Sequence, residues 1–203
     1  NVHRGIYCYG YYANYIAPYY YDRNFTIGQM GAGNIIQNFG GGVANISAGI
    51  SSKYIINLNI NYNTIHNASG GGVPHISDLF GLDIYGSTGY CSYSNNAITL
   101  TNTTGEVNWI SNYSFGFSLQ IPGKTALMHN NIFGGSVASA ISYLMYNSVI
   151  GDSSFLSARN NTISGTINMA GTTGSIYGYY ASSNSFYKQE VIGNSISNLT
   201  TPS

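Results

Sequence analysis

The sequence predicts an all-β chain wound into a parallel β-helix, a solenoid of about six coils of 29–34 residues with three short strands per coil. Three observations predict it. The first is a motif, Asn-any-Ile, written at Asn34–Ile36, Asn63–Ile65, Asn96–Ile98, Asn130–Ile132, Asn161–Ile163 and Asn194–Ile196, with gaps of 29, 33, 34, 31 and 33 residues between the asparagines. A constant period near 30 residues marks a repeat architecture. The second is apolar alternation on either side of each copy, which a half-buried strand requires. The third is the failure of every helical template. No segment keeps apolar residues at i, i+3, i+4 and i+7 for three turns.

The strands follow in order. Gly5-Ile6-Tyr7-Cys8-Tyr9-Gly10-Tyr11-Tyr12 alternates in strand fashion. Its echoes are Ala48-Gly49-Ile50, Leu82–Gly86, Phe115–Leu119, Ile141–Leu144 and Ser175–Tyr180. These give each repeat a second strand, half a period from the Asn-Ile strand. A third apolar position precedes the asparagines by three residues, at Ile60, Tyr93, Leu127, Ala158 and Val191, with Leu58, Cys91, Thr125 and Leu156 two residues further back. Loops of variable length, such as 40–42, 70–74 and 170–174, join the strands.

Burial explains why such coils stack. One three-strand coil cannot hide its apolar face. Stacking makes Ile36, Ile65, Ile98, Ile132, Ile163 and Ile196 one internal column, each side chain contributing about 1.5–3 kcal/mol. Asn34, Asn63, Asn96, Asn130, Asn161 and Asn194 are expected at a corner. Asparagine tolerates the left-handed backbone that a bend needs, and stacked amides hydrogen-bond from coil to coil.

Composition narrows the function classes. Charged residues make up 6% of the chain, against about a quarter in a typical domain, and six acids balance six bases. That excludes a phosphate-tracking nucleic-acid binder, which needs a basic stripe. No run of about 18 apolar residues occurs, so no spanning helix is expected. Polarity comes instead from 25 Asn and 40 Ser plus Thr, which favour turns and edges. Residues 1–203 read as one β-helix segment, and both ends read as cut from a longer parent chain. Bare end coils would then be covered by the rest of that chain or by a capping protein. Cys8 and Cys91 lie more than two repeats apart, too far for a disulfide, and are expected as free, mostly buried thiols.

Val191-Ile192-Gly193-Asn194-Ser195-Ile196-Ser197-Asn198-Leu199-Thr200-Thr201 resembles the repeat of large secreted right-handed parallel β-helix proteins, from bacteria that export through the type IX route. So does the pairing of Asn161–Gly165 with Ser175–Gly178. The resemblance implies a right-handed coil, an extracellular stalk or adhesin-like role, and secretion machinery as a transient partner.

Candidate chemistry is sparse. β-Helices also carry polysaccharide lyases and hydrolases, which need converging carboxylates. His75, Asp78 and Asp83 surround one Gly-rich loop, and Asp83 would meet Asp78 if it points outward. No closely spaced His or Cys pair suggests a metal, and no phosphate loop with its lysine is present, so neither a metal nor a cofactor is expected. Eight of the 20 tyrosines fall within the first 21 residues. Tyrosine pairs a flat apolar face with a polar tip, which suits sugar stacking or protein contact, and Tyr19, Tyr20 and Tyr21 form the expected contact run. The sequence therefore reads as a secreted or cell-surface structural stalk that touches glycans or proteins through a polar Tyr/Asn/Ser/Thr face. The alternative is a polysaccharide-degrading enzyme on the same scaffold.

Overall fold

A computed structural model describes residues 2–11, 21–41, 45–114, 124–137, 141–149, 154–169, 171, 174–182 and 188–200. Three parallel sheets run the length of a solenoid. The first stacks Arg4–Tyr9, Ser47–Lys53, Leu79–Tyr85, Val107–Ser114, Ser142–Val149 and Ile176–Ala181. The second stacks Thr26–Ile27, Asn59–Asn61, Tyr90–Ser94, Thr125–His129, Phe155–Arg159 and Lys188–Ile192. The third stacks Ile35–Gln37, Thr64–His66, Ala97–Thr101, Ile132–Val137, Ile167–Met169 and Leu199–Thr200, with Thr162–Ile163 also paired to Ile132–Val137. Six strands in a stack make about five turns, close to the expected coil number. Among the described residues the one helical element is a single 3-10 turn, Ser69–Gly71.

The asparagines hold the corner between the second and third sheets. Asn63 shows the scheme. Its Oδ1 accepts from the backbone N–H of Asn34 (3.2 Å) and from Asn34 Nδ2 (2.9 Å). Its Nδ2 donates to Asn96 Oδ1 (3.1 Å) one rung on and to the Ile27 carbonyl (2.9 Å) one rung back. The pattern recurs at Asn96, Asn131 and Asn161 and closes on Asn194. Each interior amide thus spans three rungs and satisfies main-chain groups that burial would otherwise leave unpaired.

From Asn63 onward, the left-handed residue at this corner is the one before the ladder asparagine. Tyr62, Asn95, Asn130, Asn160 and Gly193 have φ of 60°, 58°, 55°, 55° and 65°. That corrects the fourth copy of the motif. Asn130 is the left-handed corner residue, and its amide donates to Asn95 Oδ1 (3.2 Å) at the surface. Asn131 occupies the ladder instead. Phe133, 1% exposed, takes the core position, and Ile132, 45% exposed, points outward. Both adjacent positions favour asparagine, one for its backbone and one for its amide, so a doublet satisfies the motif in either register. The same one-residue shift puts Ala126 and Met128 inside the second sheet rather than Thr125 and Leu127.

The core column is Ile36, Ile65, Ile98, Phe133 and Ile163, in direct register. Ile196 follows through the Thr162–Ser195 bridge and is 36% exposed on the last rung. The first sheet faces this column with Gly5, Gly49 and Gly81 in its first three rungs. Space is the reason: a Cβ on Gly81 would lie 2.5 Å from Ile98 Cγ2, and one on Gly49 would lie 2.4 Å from Ile65 Cγ2. In the fourth rung Trp109 replaces the glycine. There the third sheet keeps Phe133 in the column, and the carbonyl of the next residue, Gly134, accepts from Trp109 Nε1 (2.9 Å). This strand runs Val107–Ser114. The expected strand at Phe115–Leu119 lies outside the described residues. Both cysteines are free, Cys91 fully buried and Cys8 half-buried.

The corrected register sets an expected outcome. Asn131→Ala orphans buried partners on both neighbouring rungs and lowers stability by roughly 2–4 kcal/mol. Ile132→Thr, on the outside of the same turn, changes it by less than about 0.5 kcal/mol. Urea denaturation of the two variants reads the difference directly.

Candidate functional site

The outer face of the first sheet carries the concentrated surface chemistry. The inner residues explain how. In three successive rungs two consecutive residues point inward: Gly81 and Leu82, Trp109 and Ile110, Leu144 and Met145. The alternation changes phase at that pair. Residues three apart, not two, therefore share the outer face. Tyr143 and Tyr146 emerge together on one rung, and Tyr177 and Tyr180 emerge directly over them on the next.

These four rings form one cluster. Tyr143 stacks on Tyr177 at 5.2 Å between centroids, and Tyr146 stacks on Tyr180 at 5.5 Å. Within each rung the rings meet at steep angles, Tyr143 with Tyr146 at 5.1 Å and Tyr177 with Tyr180 at 5.7 Å. Tyr177 and Tyr180 remain 40% and 37% exposed. Burial among the rings pushes the Tyr143 hydroxyl above its ordinary pKa, and the nearby Glu106 carboxylate adds to the rise. Glu106 is held at the rim by Asn108, whose Nδ2 donates to its Oε1 (2.6 Å).

A second aromatic group lies along the same sheet toward the first rung. Tyr85 stacks on Tyr113 at 5.3 Å, and Lys53 Nζ sits 5.3 Å from the Tyr85 ring centre. Tyr54 touches Tyr9, Tyr21 and Tyr85 edge-on. Arg4 lies over Tyr7 at 4.6 Å. Such ring pairs contribute about 0.5–1.5 kcal/mol each beyond their buried area.

Of the expected contact run, Tyr21 alone falls among the described residues. Tyr21 is buried against Tyr54 and offers no free face. Tyr19 and Tyr20 lie outside the described residues. The signal for the quartet was present as tyrosines three apart, repeated 34 residues on. Strict strand alternation put each pair on opposite faces and hid it.

Among the described residues the carboxylates do not assemble into a hydrolytic pair. Asp78 stands just before the strand that carries Asp83, and five extended residues separate two positions by roughly 16 Å. Asp78 Oδ1 accepts from the Glu106 backbone N–H (3.0 Å), and Asp83 Oδ2 accepts from Ser51 Oγ (2.9 Å) on the adjacent rung. Glu190 pairs with Lys188 (2.6 Å) and, across rungs, with Arg159. Those two cations hold its carboxyl below the usual range. Asp152 lies outside the described residues. Among the described residues no group of three His, Cys, Asp or Glu side chains is arranged to hold a metal ion. Among the same residues no helix is long and apolar enough to cross a membrane.

Fold and surface together define the class: a repeat protein of the parallel β-solenoid type with an aromatic outer face. Nothing more particular can be attached to it by comparison, since no family model, curated protein or solved structure matches the chain.

Two histidines make the fold sensitive to acid. His75 is buried, and desolvation lowers its pKa against the opposing pull of the Asn45 and Asp78 backbone; His3 lowers it further and the Asp78 charge raises it. His129, bonded to Ser157 Oγ (2.9 Å), is lowered by desolvation and by Arg159, with Glu190 opposing. The unfolded chain therefore takes up protons near pH 6.5 that the folded chain refuses until lower pH. Stability is expected to fall as pH drops through about 6.5, seen as a lower urea midpoint at pH 5 than at pH 7.5. A His75→Gln, His129→Gln double variant should lose most of that decline.

Proposed function

We propose that the chain is a rigid β-solenoid segment of a secreted or cell-surface protein that holds carbohydrate against the tyrosine face of its first sheet. The Tyr143, Tyr146, Tyr177 and Tyr180 cluster carries this reading. Sugar rings bind through C–H faces laid on aromatic rings, with hydroxyls satisfied at the rim. Here the rings are already packed against one another, so little side-chain freedom remains to be lost on binding. Glu106, oriented by buried Asn108, supplies a carboxylate beside them. A chain with 6% charged residues and no net charge suits a neutral polymer better than a polyanion.

The solenoid itself would act as a spacer. Its strands at the first and last rungs have one hydrogen-bonded neighbour each among the described residues. Further rungs of a parent chain, or a capping protein, would cover those edges. Export machinery would be met only in transit.

A glycan array followed by calorimetry tests the reading. Binding of a neutral polysaccharide is expected, weakened at least about 10-fold by Tyr143→Ala or Tyr180→Ala, since each removes two or more ring contacts. Ile35→Ser, an exposed change on the third sheet, should leave binding unaltered. Binding indifferent to both tyrosine variants, or none to any glycan, would overturn the assignment. Release of cleaved oligosaccharides would make the protein a polysaccharide-degrading enzyme instead.

A further inference from the structure

Among the described residues the solenoid interior contains one amine. Lys124 lies just before the second-sheet strand Thr125–His129, and its side chain runs inward. Its Nζ stands 2.6 Å from Oδ1 of Asn112, a fully buried residue of the first sheet. Among the described residues it has no carboxylate partner. Tyr93, also fully buried, aims its hydroxyl at the same Asn112 oxygen from 3.4 Å. Asn112 Nδ2 donates to Asn147 Oδ1 (2.9 Å), which fixes the plane of the carboxamide.

This is an unusual arrangement for a structural lysine. A charged ammonium buried without an anion is expensive, so the group gives up its proton instead. Desolvation lowers the Lys124 pKa to about 8, with Cys91 opposing. Burial raises the Tyr93 pKa well above its ordinary value, so that hydroxyl stays protonated as a donor. A neutral amine is a nucleophile, a carboxamide is an acyl group, and contact with Oδ1 puts Cγ within about 4 Å of Nζ. The phenol supplies a hydrogen bond where negative charge would develop.

We propose that Lys124 and Asn112 become joined by an intramolecular isopeptide bond, formed by the folded chain itself. Nζ adds to Cγ, and the carbonyl electron pair moves onto Oδ1 under the Tyr93 hydroxyl. Collapse breaks the Cγ–Nδ2 bond. One proton passes from Nζ to Nδ2, and ammonia leaves. A primary carboxamide and an amine become a secondary amide and ammonia, with no oxidant or reductant consumed. The product keeps a carbonyl for Tyr93 and removes the buried amine. It staples two sheets through residues 12 positions apart in the chain.

Mass spectrometry of the full chain tests this. The intact protein, refolded and held above pH 8, is expected to weigh one ammonia less than its sequence. Proteolysis should release a branched peptide joining the Asn112 segment to the Lys124 segment. Lys124→Arg and Asn112→Ala should each restore the full mass. Tyr93→Phe should slow formation at least about 10-fold in a refolding time course. Full mass in a chain that unfolds cooperatively would overturn the proposal. So would an ammonia loss that maps to an asparagine succinimide, with Lys124 free to be acetylated after unfolding.

Discussion

Everything in this solenoid depends on one carboxamide per rung. At the corner between the second and third sheets the main chain turns inside the structure, where water cannot reach its polar groups. The ladder asparagine answers that. Its oxygen takes two donors from the rung behind, and its nitrogen serves the rung ahead and a carbonyl behind. A buried N–H or carbonyl left unmade costs about 1–3 kcal/mol. Removing the amide from one rung therefore unsettles three. The apolar column beside it adds burial, but burial alone has no direction; the amides set which residue of one coil lies over which residue of the next.

Space is the second constraint. Where the third sheet points isoleucine inward at Ile65 and Ile98, the first offers glycine at Gly49 and Gly81, since a Cβ there would collide. In the fourth rung Trp109 and Phe133 both fill the core, and the Gly134 carbonyl accepts the indole N–H. The same inward pairs shift the phase of the first sheet and bring Tyr143 and Tyr146 out on one side. The outer aromatic surface is thus a consequence of how the inside is filled.

Much of this was legible in the sequence. Asn63-Thr64-Ile65 and Asn96-Ala97-Ile98 state the period, the corner and the column outright. The slip at Asn130–Ile132 came from reading one motif where two overlap. The left-handed position and the ladder position both want asparagine, and Asn95-Asn96 and Asn160-Asn161 carry the doublet that would have fixed the register. Trp109 was hidden for another reason: it replaces a glycine, and the carbonyl that satisfies its indole N–H, that of Gly134, lies on another sheet. The tyrosine quartet needs the phase change at Leu144–Met145, which no two-residue alternation contains. The Lys124–Asn112 contact joins different sheets, and nothing local to either residue announces it.

Amide hydrogen exchange, read residue by residue, shows whether the asparagine ladder holds the rungs together. The backbone N–H groups of Asn63, Asn96 and Asn131 bond only to side-chain oxygens of the next rung. They should nonetheless exchange as slowly as the central strands of the first sheet, opening only with global unfolding. Exchange of these amides at the rate of surface loops, while the strands stay protected, would show that the ladder does not hold the rungs together.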